Sequence, residues 1–412
     1  MRAFFQRVAT ALELPRARWL IFAGAACVFI AFFPTLRFLR SGTMMDYGVW
    51  FNAGAAVGRG EVVYPNNGSF PFMYPPVCAD FLALPAALGK AGLIFALSLI
   101  NAGAWLLSNW LLLRLVRGKF ALASAIMANF LLLVFLWSNA HLGQPSLVLL
   151  ALMLGGLVCL QRGRAGAAGG LFAVAVALKA FPILVLPYLI FRRQWLASLT
   201  LVVAVATLFF VVPIPLRGNA RNLDDLQRWS GGMLRYQETG VAQRAARSYS
   251  WKNQSLIAVA NRFLRHVSAD EGRAVFVNVA NVDFRITNSA IIAVAIALGL
   301  AFVLALPRAR TPAKDALEFS ALLILMLICT PLAFGYLFVW LLVPMTALLQ
   351  RILAARAPRT LFVIGLICLL ATGIAPRYAQ IYGSLFLAAL AFYFAALREL
   401  KGAAANRARE MQ

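Results

Sequence analysis

Asp46 is the residue in this chain best placed to act as a base. It is the first acid after the first long apolar run. It opens an aromatic, glycine-punctuated stretch (Tyr47, Trp50, Phe51, Gly60) that leads to Tyr74-Pro75-Pro76. A carboxylate held at a membrane surface under an aromatic and proline-rich roof is suited to deprotonating a hydroxyl beside a lipid-borne substrate. A place near a helix start and partial desolvation both act on such a group. The other use of an aspartate there is to cap the helix that follows, and the two uses are compatible.

Lys179 lies in LFAVAVALKAFPILVLPYLIF, with no acid near it in sequence. A lysine inside an apolar run is costly and marks a functional site by default. At the tip of a hinged pair of helices it would meet a lipid phosphate as a point charge; alternatively it snorkels to the interface. His141-Leu142-Gly143-Gln144-Pro145 reads as a tight outer turn, in which Gln144 either contacts substrate or meets the headgroups. The stretch Ser248–Leu256, containing Asn253 and Gln254, has a polar and aromatic mix suited to sugar recognition. Arg244, Arg247, Arg262 and Arg265 are near enough in sequence to hold phosphate. An ordinary interfacial helix would have a similar composition.

The elements that must position these residues are membrane spans. The 412 residues are 62% hydrophobic, with a mean hydropathy of +0.82. Long apolar runs recur at Trp19–Leu36, Gly92–Leu113, Phe120–Trp137, Leu196–Leu216, Ile286–Leu306 and Ile381–Leu397. Runs of about 18 or more apolar residues are bilayer spans. The chain therefore reads as an all-α, polytopic transmembrane helical bundle forming a single integral membrane domain, with about 11 to 13 membrane segments. The basic leader is followed by Phe32-Phe33-Pro34-Thr35-Leu36-Arg37 rather than a small-residue cleavage site, so the first run reads as a retained anchor.

The net charge of +24 does not point to nucleic acid. The basic residues recur in short clusters between apolar runs, such as Arg162/Arg164, Arg192/Arg193 and Arg398/Lys401. The positive-inside rule makes these cytoplasmic loops, with both termini cytoplasmic. Parity then makes Val77–Gly89 a re-entrant or juxtamembrane helix on the outer side. It also makes Gly166–Ile190 two short helices hinged at Pro182. Two large loops, at 38–90 and 217–285, fall on the same outer face, the first expected to be catalytic and the second to recognise substrate. Five cysteines without a CxxC spacing and two histidines far apart predict neither a disulfide framework nor a metal site. No GxxxxGK[ST], GxSxG or HExxH is present, and no cofactor is expected.

Several of these blocks together resemble glycosyltransferase family 87. They are Asp46-Tyr47 with Gly60, Tyr64 and Tyr74-Pro75-Pro76; Gly143-Gln144-Pro145-Ser146; Gly169 to Lys179-Ala180-Phe181-Pro182; Asn253-Gln254-Ser255-Leu256; and Pro331 to Trp340 and Pro344. The family belongs to the GT-C superfamily. The resemblance implies a GT-C type fold and a polyprenyl-phosphate-linked hexose donor, mannose in the first instance. It implies a lipid or glycan acceptor and inverting transfer on the outer face of a bacterial inner (plasma) membrane. It gives Asp46 the role of catalytic base and places Lys179 near the donor phosphate, with Gln144, Tyr74, Asn253, Gln254 and Tyr336 as further substrate contacts. The chain departs from the family at Pro331–Tyr336, where members often carry histidine; Tyr336 supplies a hydrogen bond but no cation near neutral pH. Two readings compete: a transporter or lipid flippase, which a broken helix and an intramembrane lysine suit equally well, and a non-catalytic assembly protein. The lack of an internal repeat and the shortage of intramembrane acids count against the former, and the polar, acid-bearing first loop against the latter.

Overall fold

The structure, a computed structural model, describes residues 16–64, 72–242, 245–307, 311–354 and 359–410. Its regular structure is helical apart from one hairpin of two-residue strands, Tyr236–Gln237 and Gly240–Val241. In chain order the principal helices begin with α1 (Arg16–Ser41), α2 (Tyr47–Gly58), α3 (Pro76–Ala87), α4 (Gly89–Leu115), α5 (Ala121–Leu131) and α6 (Leu133–Leu142). They continue with α7 (Ser146–Gln161), α8 (Ala165–Leu178), α9 (Val185–Phe191), α10 (Trp195–Ala206) and α11 (Asn219–Met233). The C-terminal set is α12 (Leu256–Leu264), α13 (Phe284–Ala305), α14 (Pro312–Cys329), α15 (Leu342–Leu353), α16 (Thr360–Ile374) and α17 (Ser384–Glu410).

Among the described residues, five continuous helical stretches are long and apolar enough to cross a bilayer, including Ala23–Ser41, Gly89–Leu115 and Phe284–Ala305. A sixth is added if α5 and α6 count as one crossing. Five more apolar helices are only 10–17 residues long, short of the roughly 20 that a straight crossing needs. Trp195–Arg217 and Phe284–Ala305 keep much of their apolar surface outward, as at Leu199, Val203, Ile296 and Leu300. Lipid, rather than protein, is the solvent such faces require.

The run Phe120–Trp137, expected as one straight span, is bent by 61° at Leu132. No glycine or proline marks the bend. The C-terminal half of Gly166–Ile190 breaks as its proline predicts. Helix α8 stops at Leu178, Lys179 is extended (φ −158°, ψ 125°), and a 3₁₀ turn, Phe181–Leu184, restarts the chain with Pro182 in its first turn.

The chain gathers into two compact units: residues 16–111 with 137–236, and residues 112–136 with 237 onward. The first has an aromatic core in which Tyr47, Trp50, Tyr64, Phe72, Tyr74 and Trp229 pack with aliphatic residues of α2, α3 and α4. Gly54 lets α2 lie directly on α3, since an added Cβ would overlap the Leu82 carbonyl. In the second unit α17 packs on α14 and α16, and α5 on α15. The Tyr393 hydroxyl there donates to the Leu298 carbonyl at 2.6 Å, and Arg351 pairs with Glu399 at 2.7 Å.

Candidate active site

Asp46 stands at the N-cap position of α2, but its side chain makes no capping hydrogen bond. Its carbonyl begins the helix, accepting from Val49 N (3.0 Å) and Trp50 N (3.3 Å). The residue before it, Met45, takes a left-handed backbone (φ 51°), a conformation that costs a residue with a side chain about 1–3 kcal/mol and tends to mark functional turns. The carboxylate is held from elsewhere. Gln144 Nε2 donates to Asp46 Oδ2 at 2.7 Å, and Gln144 Oε1 accepts from the Tyr74 hydroxyl at 2.7 Å. The amide is thereby oriented at both ends, leaving Asp46 Oδ1 as the oxygen not used by Gln144.

The turn that carries Gln144 is itself fixed. Its backbone N–H donates to Asn139 O (3.0 Å), and Ser146 N donates to Asn139 Oδ1 (3.2 Å). Asn139 Nδ2 in turn donates to Asn101 Oδ1. Gly143 is left-handed (φ 72°), and a Cβ on it would lie 2.6 Å from the Tyr47 ring. Only glycine meets both conditions. The Tyr47 hydroxyl donates to Ala140 O (2.9 Å) and lies 3.0 Å from Ser98 Oγ. His141 sits in the last turn of α6 rather than in the turn itself, stacked on Trp137 and against Arg37.

Lys179 Nζ lies 5.4 Å above the Tyr74 ring, a cation–π arrangement. It is near enough to Asp46 for the two charges to attract. Trp50 packs against the same Tyr74 ring, tilted by 38° with the ring centroids 4.2 Å apart. Asp46, Tyr74, Gln144 and Lys179, spread over 134 positions from Asp46 to Lys179, therefore form one constellation within the first unit.

Asn253, Gln254 and Tyr336 belong to the second unit. Asn253 is fully buried: its Nδ2 donates to Ser248 O and Pro331 O, and its Oδ1 accepts from Ala333 N. Gln254 Nε2 donates to Trp251 O (2.6 Å) and Gln380 O (2.7 Å), and its buried Oε1 makes no hydrogen bond among the described residues. Two blocks far apart in sequence, Asn253–Leu256 and Pro331–Ala333, are thus stitched together. Tyr336 is half-buried with its ring tilted against Phe334.

The arginines of this region are engaged within the protein. Arg262 is fully buried and donates to the carbonyls of Tyr249, Ser250, Asn253, Gln380 and Ile381; burial pushes its guanidinium down to about 9. Arg265 pairs with Glu238 (2.9 Å), and Arg247 and Lys252 face Glu271 (3.5 and 3.2 Å). Arg244 lies outside the described residues.

A buried ion cluster in the first unit has no counterpart in the sequence reading. Arg217 Nη1 donates to Asp225 Oδ2 at 2.7 Å, and Nη2 donates to Asp80 Oδ2 and Asn222 Oδ1 at 3.0 Å each. Its Nε is 2.8 Å from Asp80 Oδ1, an ion contact without hydrogen-bond alignment. Burial raises the Asp225 carboxyl, against the lowering effect of Arg217 and of the nearby Val63 backbone N–H. Removing one partner from so buried a pair costs about 3–5 kcal/mol. Among the described residues no group of three or more histidine, cysteine, aspartate or glutamate side chains is arranged to hold a metal ion.

A predominantly helical, multi-pass membrane protein with an oriented carboxylate just after its first long helix defines the class. The model of glycosyltransferase family 87 matches residues 72–334, and the chain belongs to that family of GT-C type membrane glycosyltransferases. The match takes in Tyr74, Gln144, Lys179, Asn253 and Gln254. It begins after Asp46 and ends two residues before Tyr336. No curated protein matches the chain.

Proposed function

We propose that this membrane glycosyltransferase moves a hexose, mannose, from a polyprenyl-phosphate donor to a hydroxyl of a lipid or glycan acceptor at the outer face of a bacterial plasma membrane. Asp46 is the general base. The acceptor oxygen attacks the anomeric carbon while its proton passes to the Asp46 carboxylate. The bond from the anomeric carbon to the phosphate oxygen breaks, its electron pair leaves with the polyprenyl phosphate, and the anomeric centre inverts. Lys179 faces the charge that develops on the leaving phosphate. Tyr74 and Gln144 are at hand to line the sugar and acceptor side. Within the second unit, Asn253 and Gln254 support substrate recognition by holding the backbone of Pro331, Ala333 and Gln380, with Tyr336 as the contact, and both termini are cytoplasmic.

The observation that carries this reading is the Tyr74–Gln144–Asp46 chain of hydrogen bonds. It orients a carboxylate that its own helix does not use as a cap. A carboxylate serving only to start a helix has no need of a partner 98 residues away. The test is to incubate the purified protein with polyprenyl-phosphate-mannose and a bacterial lipid extract and to look for a mannosylated product by mass spectrometry. No product with this or other polyprenyl-phosphate hexoses would reject the donor class.

A further inference from the structure

Arg217 lies far from Asp46 in sequence, and the mechanism above makes no use of it, yet everything around it is built. Its side chain and that of Asp225 are fully buried, and that of Asp80 nearly so. The cluster joins α3, through Asp80, to α11, through Asn222 and Asp225. Helix α11 holds the first outer loop at a further point: Trp229 Nε1 donates to Met73 O at 3.2 Å. On the near side of the same loop, the Val63 backbone N–H approaches Asp225. The Tyr64 hydroxyl, next in sequence, donates to Tyr74 O at 2.5 Å. Thus residues 63–64 and 73–74 are both tied, directly or through one neighbour, to α11 and its arginine anchor.

Tyr74 is the residue whose hydroxyl fixes Gln144, and Gln144 fixes Asp46. We propose that Arg217, by anchoring α11 and α3, sets the position of Tyr74 and through it the alignment of the Asp46 carboxylate. It is a positioning residue for transfer, outside the site itself. The proposal rests on the reading of Asp46 as the base. An arginine suits this post because its planar fork meets two carboxylates and an amide at fixed angles, where a lysine presents a single point charge. A displacement of the order of 1 Å at Tyr74 is enough to misdirect a base.

The test uses the full-length protein in lipid nanodiscs, with Arg217→Lys and Trp229→Phe as variants. Backbone hydrogen exchange is followed in peptides covering Val63–Tyr64 and Met73–Tyr74. Turnover is measured with polyprenyl-phosphate-mannose and the acceptor lipid found in the product assay. Both variants should speed exchange in these peptides and lower kcat about tenfold, with the donor KM within about twofold of wild type. In a Tyr74→Phe background, which removes the hydroxyl through which Arg217 acts, Trp229→Phe should change kcat by less than about twofold; an effect that merely destabilised the fold would add in full. Full additivity, or faster exchange with unchanged kcat, would overturn the proposal, as would wild-type exchange in both variants. If Arg217→Lys fails to fold, Trp229→Phe alone decides. Asp46→Asn should exchange like wild type, so an active Asp46→Asn enzyme would reject the base while leaving the exchange result to judge the anchor.

Discussion

Gln144 reaches Asp46 from 98 positions further along the chain and donates to its Oδ2 at 2.7 Å, while its own amide oxygen accepts from Tyr74. An amide bound at both ends has one orientation available to it. The carboxylate it touches therefore points its remaining oxygen in a fixed direction without being neutralised by the contact. This is the geometry a general base needs before substrate arrives.

Replacing Asp46 by Asn should reduce transfer by at least about a hundredfold, the usual range for loss of a general base. Insertion and thermal stability should change little, because the carboxylate makes no capping bond that the substitution would remove. Turnover and melting of the purified variant check this. Near-normal turnover would move the chemistry to another acid of the outer loops.

Gln144→Glu should lower kcat about tenfold or more, because the carboxylate it introduces cannot donate to Asp46 Oδ2 as the amide does and repels it instead. Kinetics of the purified variant check this; a raised KM with unchanged kcat would mean that Gln144 touches substrate rather than the base.

Lys179→Met should weaken donor binding or slow transfer about 10- to 150-fold, the equivalent of losing a hydrogen bond to a charged group worth about 1.5–3 kcal/mol. Lys179→Arg should keep part of the function, limited by the different shape of the guanidinium fork. Kinetics with the polyprenyl-phosphate donor test both, and normal kinetics in Lys179→Met would remove its donor role without touching Asp46.

Gly143→Ala joins a left-handed backbone to a clash with the Tyr47 ring. It should destabilise the protein by more than the roughly 1–2 kcal/mol of the backbone term alone. It should also lower turnover by shifting Gln144. Thermal unfolding and kcat measured on one preparation would show both losses; an unaffected variant would mean the turn relaxes freely.

Orientation in the bilayer can be read with membrane-impermeant thiol labelling of Asn219→Cys and Ala274→Cys, both at exposed positions. Ala269, in the same loop, is fully buried and unsuited to labelling. Labelling from the outer side is expected for both, and labelling from the cytoplasmic side alone would invert the topology and the site with it.

Much of the scaffold was legible because hydropathy reports spans directly, and the break at Lys179 was legible because Pro182 announces it. The bend at Leu132 was not, since no proline or glycine accompanies it. Asp46 could be singled out from its place after the first apolar run, and Gln144 from its turn. Their hydrogen bond could not, because nothing in the spacing of two residues on different helices encodes contact. The Arg217 cluster was hidden more deeply: Asp80 and Arg217 are 137 positions apart, and in the sequence both look like ordinary solvated charges of outer loops. Asn253 and Gln254 have the composition of a sugar site, but composition does not reveal that their amides are bound to the backbone of their own unit.

The interleaving of the two units sets an order on how the protein can be made. The unit holding Asp46, Tyr74, Gln144 and Lys179 ends at residue 236, so its sequence is complete while more than a third of the chain is still unsynthesised. Residues 112–136 must instead wait, already threaded into the bilayer, for partners that start at residue 237. Arg217 and α11 are the last parts of the earlier unit to emerge. Until they do, Asp80 is an acid without its cation, and their arrival is the step that completes the assembly of that unit.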